Sequence, residues 1–218
     1  MRIVVVYSGG LDSTVLLYHL RHEGHNLRAL SVDYGQRHRR ELDAAAEIAA
    51  GLGLEHRIVE LTGLGTLFAG SALTSTAIAV PREEYARQNM ETTTVPNRNM
   101  LLLSLAIAWA AGQHDDAVAF AAHAGTTLTY PDCRPEFAAA MDHAARLADW
   151  RPIAVLAPFV TWRKADIVRR GEALGVSLGR TWSCYVGGVR HCGECATCRD
   201  RRAAFAEAGV SDPTEYNH

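Results

Sequence analysis

The N-terminal segment constrains the fold more than any other part of the sequence. Residues 2–7 form an apolar, β-branched run that is typical of a buried strand, and Ser-Gly-Gly follows directly at 8–10. Apolar residues then recur at helical spacing between Val15 and Leu20. A strand that ends in a glycine turn and enters a helix at once is typical of an α/β protein.

The rest of the chain alternates strand and helix patterns in the same way. Further predicted strands cover residues 27–34, 56–61, 117–122 and 151–159. Predicted helices cover residues 12–23, 38–52, 98–112, 135–149, 163–174 and 199–208. Residues 62–97 are rich in Gly, Pro, Ser and Thr and predict loops, with a short helix near 82–88. We therefore predict an α/β fold with a doubly wound, mostly parallel five-stranded sheet and helices on both faces.

Three polar segments follow predicted strands, at residues 8–13, 33–38 and 123–134. In open parallel sheets, ligands bind beyond the carboxyl ends of the strands. We therefore expect these three segments to meet at one edge of the sheet and to form the binding site there.

Residues 8–13, Ser-Gly-Gly-Leu-Asp-Ser, predict a phosphate-binding loop. Glycine allows the backbone to turn sharply and to approach a ligand closely, so that backbone N–H groups and the helix N-terminus face an anion. The hydroxyl groups of Ser8 and Ser13 can donate further hydrogen bonds. Neither GxxxxGK[ST] nor GxGxxG occurs in the chain, which disfavours a Walker loop and a dinucleotide-binding loop.

A cluster of cysteines near the C-terminus predicts a metal site. Its members are Cys184, Cys192, Cys195 and Cys198, which have the spacing C-x7-C-x2-C-x2-C. Four thiolates complete a tetrahedral zinc shell and leave no open position, which indicates a structural metal. The spacing is also compatible with an iron–sulfur cluster on the same cysteines, and with His191 in place of one of them.

Composition and charge narrow the class of protein. The net charge of −2 disfavours a broad electrostatic surface for nucleic acid, so we expect no stable nucleic-acid binding. No stretch approaches the roughly 18 apolar residues of a membrane span, and glycine occurs too early for a signal peptide. We therefore expect a cytoplasmic protein without a membrane partner. Lys164 is the only lysine in the chain, which is compatible both with a position that arginine cannot fill and with a chance survivor among the arginines.

Residues 8–13 resemble the pyrophosphate loop of the ATP pyrophosphatase superfamily, whose members split ATP between its α and β phosphates. Other segments resemble one family within it. These segments are residues 33–38, 72–75, 95–99, 130–137, 181–185 and the cysteine run 191–198. Together they make the chain, from about residue 3 to 207, resemble the 7-cyano-7-deazaguanine synthases, the nitrile-forming enzymes of the queuosine and archaeosine pathways.

The resemblance implies a reaction in two stages. One ATP activates the carboxylate of 7-carboxy-7-deazaguanine, and ammonia displaces AMP to give the amide. A second ATP activates the amide oxygen, and loss of AMP leaves the nitrile. The resemblance also implies ATP with Mg²⁺, structural zinc, free ammonium as the nitrogen source and a homodimer, for which residues 64–73 are the expected contact surface. Residues 1–180 would form the ATP-binding domain, and residues 181–218 the zinc module with the C-terminal helix.

Carried over onto this sequence, the resemblance assigns site residues to three groups. The expected catalytic residues are Asp12, Ser13 and Lys164, of which Lys164 would stabilise charge on the transferring phosphoryl group. The expected ATP contacts are Tyr7, Ser8, Gly9, Gly10, Leu11, Asp12, Ser13, Asp33 and Arg98. The expected substrate contacts are Tyr34, Gln36, Asn99, His123, Tyr130, Asp132 and Arg134. Among them, Asp132 would accept hydrogen bonds from the purine-like base and Tyr130 would stack on it.

One departure from the family pattern leaves room for a different activity. Thr126 stands where the family often has an acidic residue, so the chain can also be a paralogue that joins a deazaguanine to another amine. The sequence is compatible, too, with a tRNA-modifying enzyme of the same superfamily and with a non-enzymatic nucleotide sensor. Cys133 is a fifth thiol near the predicted site, for which we favour a packing role over a nucleophilic one.

Overall fold

The computed structural model describes residues 1–37, 39–63, 68, 70–82, 87–124 and 129–217. Five strands are present: β1 (Arg2–Val6), β2 (Asn26–Asp33), β3 (Glu55–Glu60), β4 (Ala117–Ala119) and β5 (Ala154–Leu156). The helices are α1 (Leu11–His22), α2 (Arg40–Gly51), α3 (Arg87–Thr93), α4 (Arg98–Gly112), α5 (Pro135–Leu147), α6 (Lys164–Ala173) and α7 (Ala196–Ala208). Short 3₁₀ turns lie at Pro131–Cys133 and Leu178–Arg180.

The five strands form one sheet in the order β3-β2-β1-β4-β5, and every neighbouring pair is parallel. The strand order reverses between β1 and β4, which is the point where ligands bind in such sheets. The predicted doubly wound parallel sheet is therefore confirmed. The carboxyl ends of β1, β2 and β4 lie side by side, so the three polar segments that follow these strands start at the same edge of the sheet, as we expected.

Alternate residues of β1 face opposite layers of the protein, because successive strand side chains point to opposite sides. Ile3 and Val5 pack in one core with α1, α2, α6 and α7. Val4 packs in a second core with α4 and α5. Helices therefore cover both faces of the sheet, and its central strands are apolar because neither of their faces meets water.

The last two predicted strands, at residues 117–122 and 151–159, are shorter in the structure. Residues 151–159 predict one long strand, but β5 covers only Ala154–Leu156. It pairs residue for residue with β4, which is itself only three residues long, so the ladder cannot extend further. The flanking apolar residues Ile153 and Phe159 are fully buried in the core without belonging to a strand.

One helical boundary also shifts. The last helix begins at Ala196 rather than 199, because Cys195 is its extended N-cap residue. Most of the short helix predicted near 82–88 lies outside the described residues, and helix α3 covers Arg87–Thr93, with Met90 and Thr93 buried. The predicted contact surface at 64–73 lies partly outside the described residues, and the departure at Thr126 lies wholly outside them.

None of the helices in the described part of the chain is long and apolar enough to cross a membrane.

Candidate active site

A cavity of about 300 Å³ opens at the carboxyl edge of the sheet. The residues after β1, β2 and β4 form its floor, and the segment that carries the cysteines forms one wall. The predicted residues that line it are Tyr7, Ser8, Gly10, Leu11, Asp12, Ser13, Tyr34, Gln36, Arg98, Asn99, His123, Tyr130 and Lys164. The structure therefore brings most of the predicted site residues together around one space.

The glycine loop turns sharply between β1 and α1. Gly9 has a φ of +77°, a left-handed conformation that side chains disfavour. A Cβ atom there would lie 2.4 Å from the backbone oxygen of Glu41 and 2.6 Å from the backbone nitrogen of Ala45, so only glycine can occupy the position. Gly9 itself does not line the cavity; its role is to let the loop pass against α2.

The two loop serines hold each other in place at the N-terminus of α1. The Ser8 and Ser13 hydroxyl oxygens lie 3.2 Å apart, and the Ser8 hydroxyl accepts a hydrogen bond of 3.2 Å from the Gly10 N–H. The first N–H groups of a helix have no intrahelical partner, and the helix dipole favours negative charge at this end. The arrangement suits a phosphate group, which would take over these hydrogen bonds.

Four charged or titratable side chains meet beside this loop. Lys164 Nζ lies 2.8 Å from Asp200 Oδ2 and 3.6 Å from Asp12 Oδ2, and His123 Nε2 lies 3.7 Å from that same Asp12 oxygen. Lys164 is only 8% exposed, so this ammonium group depends on its carboxylate partners rather than on water.

Opposing effects set the protonation of this group. Burial alone would raise the pKa of the Asp12 carboxyl, but Lys164 and His123 together bring it below its ordinary value. Burial likewise would lower the pKa of Lys164, yet Asp12 and Asp200 raise it. For His123, burial prevails and lowers the pKa. Near pH 7, the site therefore holds the Asp12 carboxylate, the Lys164 ammonium group and a neutral His123 imidazole.

Two atoms of this group are buried without a hydrogen-bond partner among the described residues: Asp12 Oδ1 and His123 Nδ1. A buried polar atom without a partner costs free energy, so such atoms mark places where a ligand or an ion completes the site. Carboxylate oxygen is a preferred ligand of Mg²⁺, which fits the unpartnered oxygen of Asp12.

The opposite side of the cavity is aromatic and carries one cation. Arg98 is the first residue of α4, and its Nη1 atom lies 3.5 Å from the Tyr34 hydroxyl oxygen. Burial would lower the pKa of Arg98, but Tyr34, Tyr185 and Asp132 raise it, so the guanidinium stays charged. The Tyr130 hydroxyl lies 2.9 Å from the Thr93 hydroxyl, which fixes its ring at the cavity wall.

Besides Gly9, three further predicted residues stand outside the cavity lining. Asp33 is buried and accepts a hydrogen bond from the Gly35 N–H while pairing with Arg39 at 3.2 Å, so it stabilises the turn after β2. The Asp132 backbone oxygen accepts a hydrogen bond from Asn99, but its side chain is not part of the lining. Arg134 is exposed as the N-cap residue of α5.

Some residues that line the cavity were not predicted as site residues from the sequence. They are Glu41 from α2, Thr197 and Asp200 from α7, and Trp182, Ser183 and Tyr185 from the cysteine segment. The topology contained a signal for Glu41, since α2 begins just after the loop that follows β2. For Asp200 and Thr197 no signal was visible, because nothing in the sequence places α7 against α6.

Glu41 is the most unusual of these residues. Its carboxyl faces the cavity and makes no hydrogen bond or ion pair within the described part of the chain. Burial raises the pKa of Glu41 to about 7, although Arg98 acts in the opposite direction.

Cys133 also lines the cavity, and its thiol is a poor nucleophile. Burial raises the pKa of Cys133 to about 12, and the nearby Asp132 carboxylate acts in the same direction. The thiolate is the nucleophilic form, so the chemistry of this position agrees with the packing role that we favoured.

The four late cysteines gather into one group whose sulfur atoms all lie within 4.8 Å of one another. Cys192 and Cys198 Sγ are 3.9 Å apart, and Cys195 and Cys198 Sγ are 3.5 Å apart. Sulfur ligands of a tetrahedral zinc with bonds of about 2.3 Å lie about 3.8 Å from each other. These four thiols can therefore hold a metal ion.

His191 does not belong to this group. Its Nε2 accepts a hydrogen bond of 3.1 Å from the Ser183 N–H, and its ring stacks on Trp182 with centroids 4.4 Å apart. Burial lowers the pKa of His191 to about 4. The hypothesis that His191 replaces one cysteine is wrong in this structure.

Comparison with known proteins places the chain in a family. The family model described as queuosine biosynthesis protein QueC matches residues 2–209. The chain is 49% identical over 218 residues to a 7-cyano-7-deazaguanine synthase of Allorhizobium ampelinum, with 99% of this chain and 92% of the relative covered. It is 45% identical over 216 residues to that of Methanoregula boonei, with 99% of each covered. The chain belongs to the QueC family.

A solved structure with a weaker likeness is the NH3-dependent NAD synthetase of Campylobacter jejuni. It is 18% identical, with a TM-score of 0.46, and the match covers 80% of this chain and 64% of that one.

The raised pKa of Glu41 makes stability depend on pH. An unfolded Glu ionises near 4.5, whereas the folded carboxyl keeps its proton to about 7, so stability is lost as pH rises through this window. Glu41→Gln cannot ionise, so its stability relative to the wild type should increase from pH 4.5 to pH 8. Urea unfolding should show an increase on the order of 2–3 kcal/mol, at about 1.4 kcal/mol per pKa unit.

Glu47→Gln is the matched control, because Glu47 carries an exposed carboxylate on the same helix. Its difference from the wild type should vary much less with pH. A Glu41→Gln difference that stays constant from pH 4.5 to pH 8 would contradict a buried, high-pKa carboxyl.

Proposed function

We propose that this protein converts 7-carboxy-7-deazaguanine and ammonium into 7-cyano-7-deazaguanine, with two ATP split to AMP and pyrophosphate. Family membership over nearly the whole chain supports the reaction. The observation that carries the proposal is the cavity itself, in which a phosphate loop with Asp12 and Lys164 faces a cation and aromatic rings.

The phosphate side of the cavity is suited to split ATP between its α and β phosphates. Ser8, Ser13 and the first N–H groups of α1 would bind the departing pyrophosphate. Lys164 would balance negative charge that develops on the α phosphate. Asp12, with its unpartnered Oδ1, would hold Mg²⁺, whose chemistry is to neutralise phosphate charge.

The opposite side is suited to a flat, acidic heterocycle. The Arg98 guanidinium would pair with the substrate carboxylate and bring its oxygen toward the phosphate loop. The ring of Tyr130 would stack on the deazaguanine, and Gln36 and Asn99 would offer hydrogen bonds to its edge. With Asp132 outside the lining, Glu41 is the better placed carboxyl group to form a hydrogen bond with the base.

Ammonium must lose a proton before its nitrogen attacks the acyl adenylate. His123 is suited to accept it, because burial favours the neutral ring. Its Nε2 faces Asp12 and would carry the ring proton, which leaves the unpartnered Nδ1 as the acceptor. We further propose that the protein acts in the cytoplasm, as a homodimer and without stable nucleic-acid binding.

We propose that the cysteine group binds one structural Zn²⁺, since four thiolates leave no position for a substrate. Metal analysis of the wild type should find about one zinc per chain and no iron–sulfur absorbance. Cys195→Ala should lose the zinc and unfold at markedly lower temperature, because metal binding contributes folding free energy.

Cys133→Ala is the matched control, as it removes the fifth thiol, which lies outside the group. It should keep the zinc. A Cys195→Ala variant with no zinc but wild-type stability would rule out a structural metal.

The reaction itself is tested by its products. With ATP, magnesium, ammonium and 7-carboxy-7-deazaguanine, two AMP and two pyrophosphate should form for each nitrile, because two oxygen atoms must leave. The 7-amide given alone should consume one ATP. Liquid chromatography with mass detection measures both ratios.

Ser13→Ala should slow both stages alike, by on the order of 10²–10³, because one loop serves both. Release of ADP instead of AMP would refute the proposal, since it places the cleavage between the β and γ phosphates. If another amine displaced AMP from the acyl adenylate and gave a substituted amide as the product, the paralogue that joins a deazaguanine to an amine would be favoured.

A further inference from the structure

Lys164 is placed where a cation is electrostatically disfavoured. It is the first residue of α6, and the N-terminus of a helix carries a partial positive charge. The ammonium group is also almost fully buried. A long, flexible side chain in such a place needs fixed anionic partners to keep one position.

Two carboxylates hold it, and they are not equivalent. Asp200 Oδ2 is the closer partner at 2.8 Å, while Asp12 Oδ2 is 3.6 Å away. Asp12 belongs to the phosphate loop and also faces His123. Asp200 is 13% exposed and has Lys164 as its partner.

The position of Asp200 is fixed from both sides along α7. Two residues before it, Cys198 belongs to the four-cysteine group. The next residue, Arg201, is fully buried and donates hydrogen bonds to the Thr181 hydroxyl at 2.9 Å and to the Leu178 carbonyl at 2.8 Å. The carboxylate therefore stands on a rigid element rather than on a loop.

We propose that Asp200 is a positioning residue that holds the Lys164 ammonium group away from Asp12. Without Asp200, the ammonium group would lose its nearer partner and move among several positions, in some of which it would contact Asp12 and neutralise its charge. Asp12 would then compete poorly for Mg²⁺, and Lys164 would point away from the phosphate that it is to stabilise. The cysteine module thus sets the geometry of the ATP site through one ion pair.

The proposal rests on the ATP-dependent function above, but its first test needs no turnover. Lys164 is the only lysine, so labelling with [¹³C]lysine gives a single lysine side chain. Relaxation of its ¹³Cε nucleus reports how well the side chain is ordered. We expect high order in the wild type, a clear loss of order in Asp200→Asn, and recovery in Asp200→Glu, which keeps the charge.

Turnover provides the second readout. In Asp200→Asn, kcat should fall on the order of 10–100-fold, because a displacement of a catalytic group by about 1 Å lowers the rate by about this factor. The KM for 7-carboxy-7-deazaguanine should stay near the wild-type value, because Arg98 and Tyr130 lie on the other side of the cavity. Asp200→Glu should regain part of kcat.

Asp212→Asn is the matched control, because Asp212 pairs with Arg201 at 3.8 Å and does not line the cavity. It should lower stability while it leaves kcat and lysine order near wild type. An Asp200→Asn variant that keeps lysine order and a kcat within about twofold of wild type would overturn the proposal. A loss of kcat that excess magnesium restores fully, with the lysine still ordered, would also overturn it, since Asp200 would then act as a cation ligand.

These outcomes are separable from failure of the proposed function. If the wild type released no AMP with any of the substrates, the function would fail, while the lysine relaxation experiment would still decide whether Asp200 positions Lys164.

Discussion

Three chain segments meet at Gly9, and the site depends on how closely they approach there. The loop after β1 passes against the backbone of α2 with no room for a Cβ atom. From the other side, the Trp182 N–H donates a hydrogen bond of 3.0 Å to the Gly9 carbonyl oxygen. Gly9 thereby fixes the positions of the loop after β1, of helix α2 and of the cysteine segment relative to one another.

The cysteine segment is therefore a wall of the cavity and not a remote appendage. Thr197 and Asp200 reach the cavity from α7, whose N-cap residue Cys195 is one of the four clustered cysteines. Arg201 is fully buried, and it connects the same helix to the turn near residue 180 by donating hydrogen bonds to the Thr181 hydroxyl and the Leu178 carbonyl. A metal that orders these cysteines would order the wall as well, which is why a closed, structural site can still affect catalysis.

Charge is divided across the cavity in a way that suits its proposed reactants. On the phosphate side, Lys164 and the N-terminus of α1 supply positive charge, with Asp12 and Asp200 to balance it. On the far side, Arg98 supplies a cation that would face the organic acid of the proposed reaction. An acid and a nucleotide would thus approach each other between two cations, where their mutual repulsion is reduced.

The sequence predicted the sheet and the sharp turn at residues 8–13 well because both are local patterns. Apolar β-branched runs mark strands wherever both faces of a sheet are covered, and the 8–13 loop depends on its own glycines and serines. Strand ends were predicted less well at β5, because its length is set by pairing with the short β4. The position of Asp200 could not be predicted, since it depends on the packing of α7 against α6 and not on a local pattern.

For a related reason, only some of the residues that the family pattern assigns to ligand contact line the cavity. Tyr130 and Asn99 line the cavity, but Arg134, from the same motif as Tyr130, is turned outward. The 3₁₀ turn at Pro131–Cys133 followed by the start of α5 redirects the chain between these two residues. A motif shows which residues occur together in the sequence, whereas the local backbone turn determines which of their side chains face the cavity.

Oxygen transfer tests the proposed chemistry most directly. When 7-carboxy-7-deazaguanine carries ¹⁸O in both carboxylate oxygens, each adenylation links one of them to an α phosphate, and each stays there when AMP leaves. Mass spectrometry should find one ¹⁸O atom in every AMP that the reaction to the nitrile produces. AMP without label, or label that appears in pyrophosphate or water instead, would contradict activation of the substrate oxygens by adenylation.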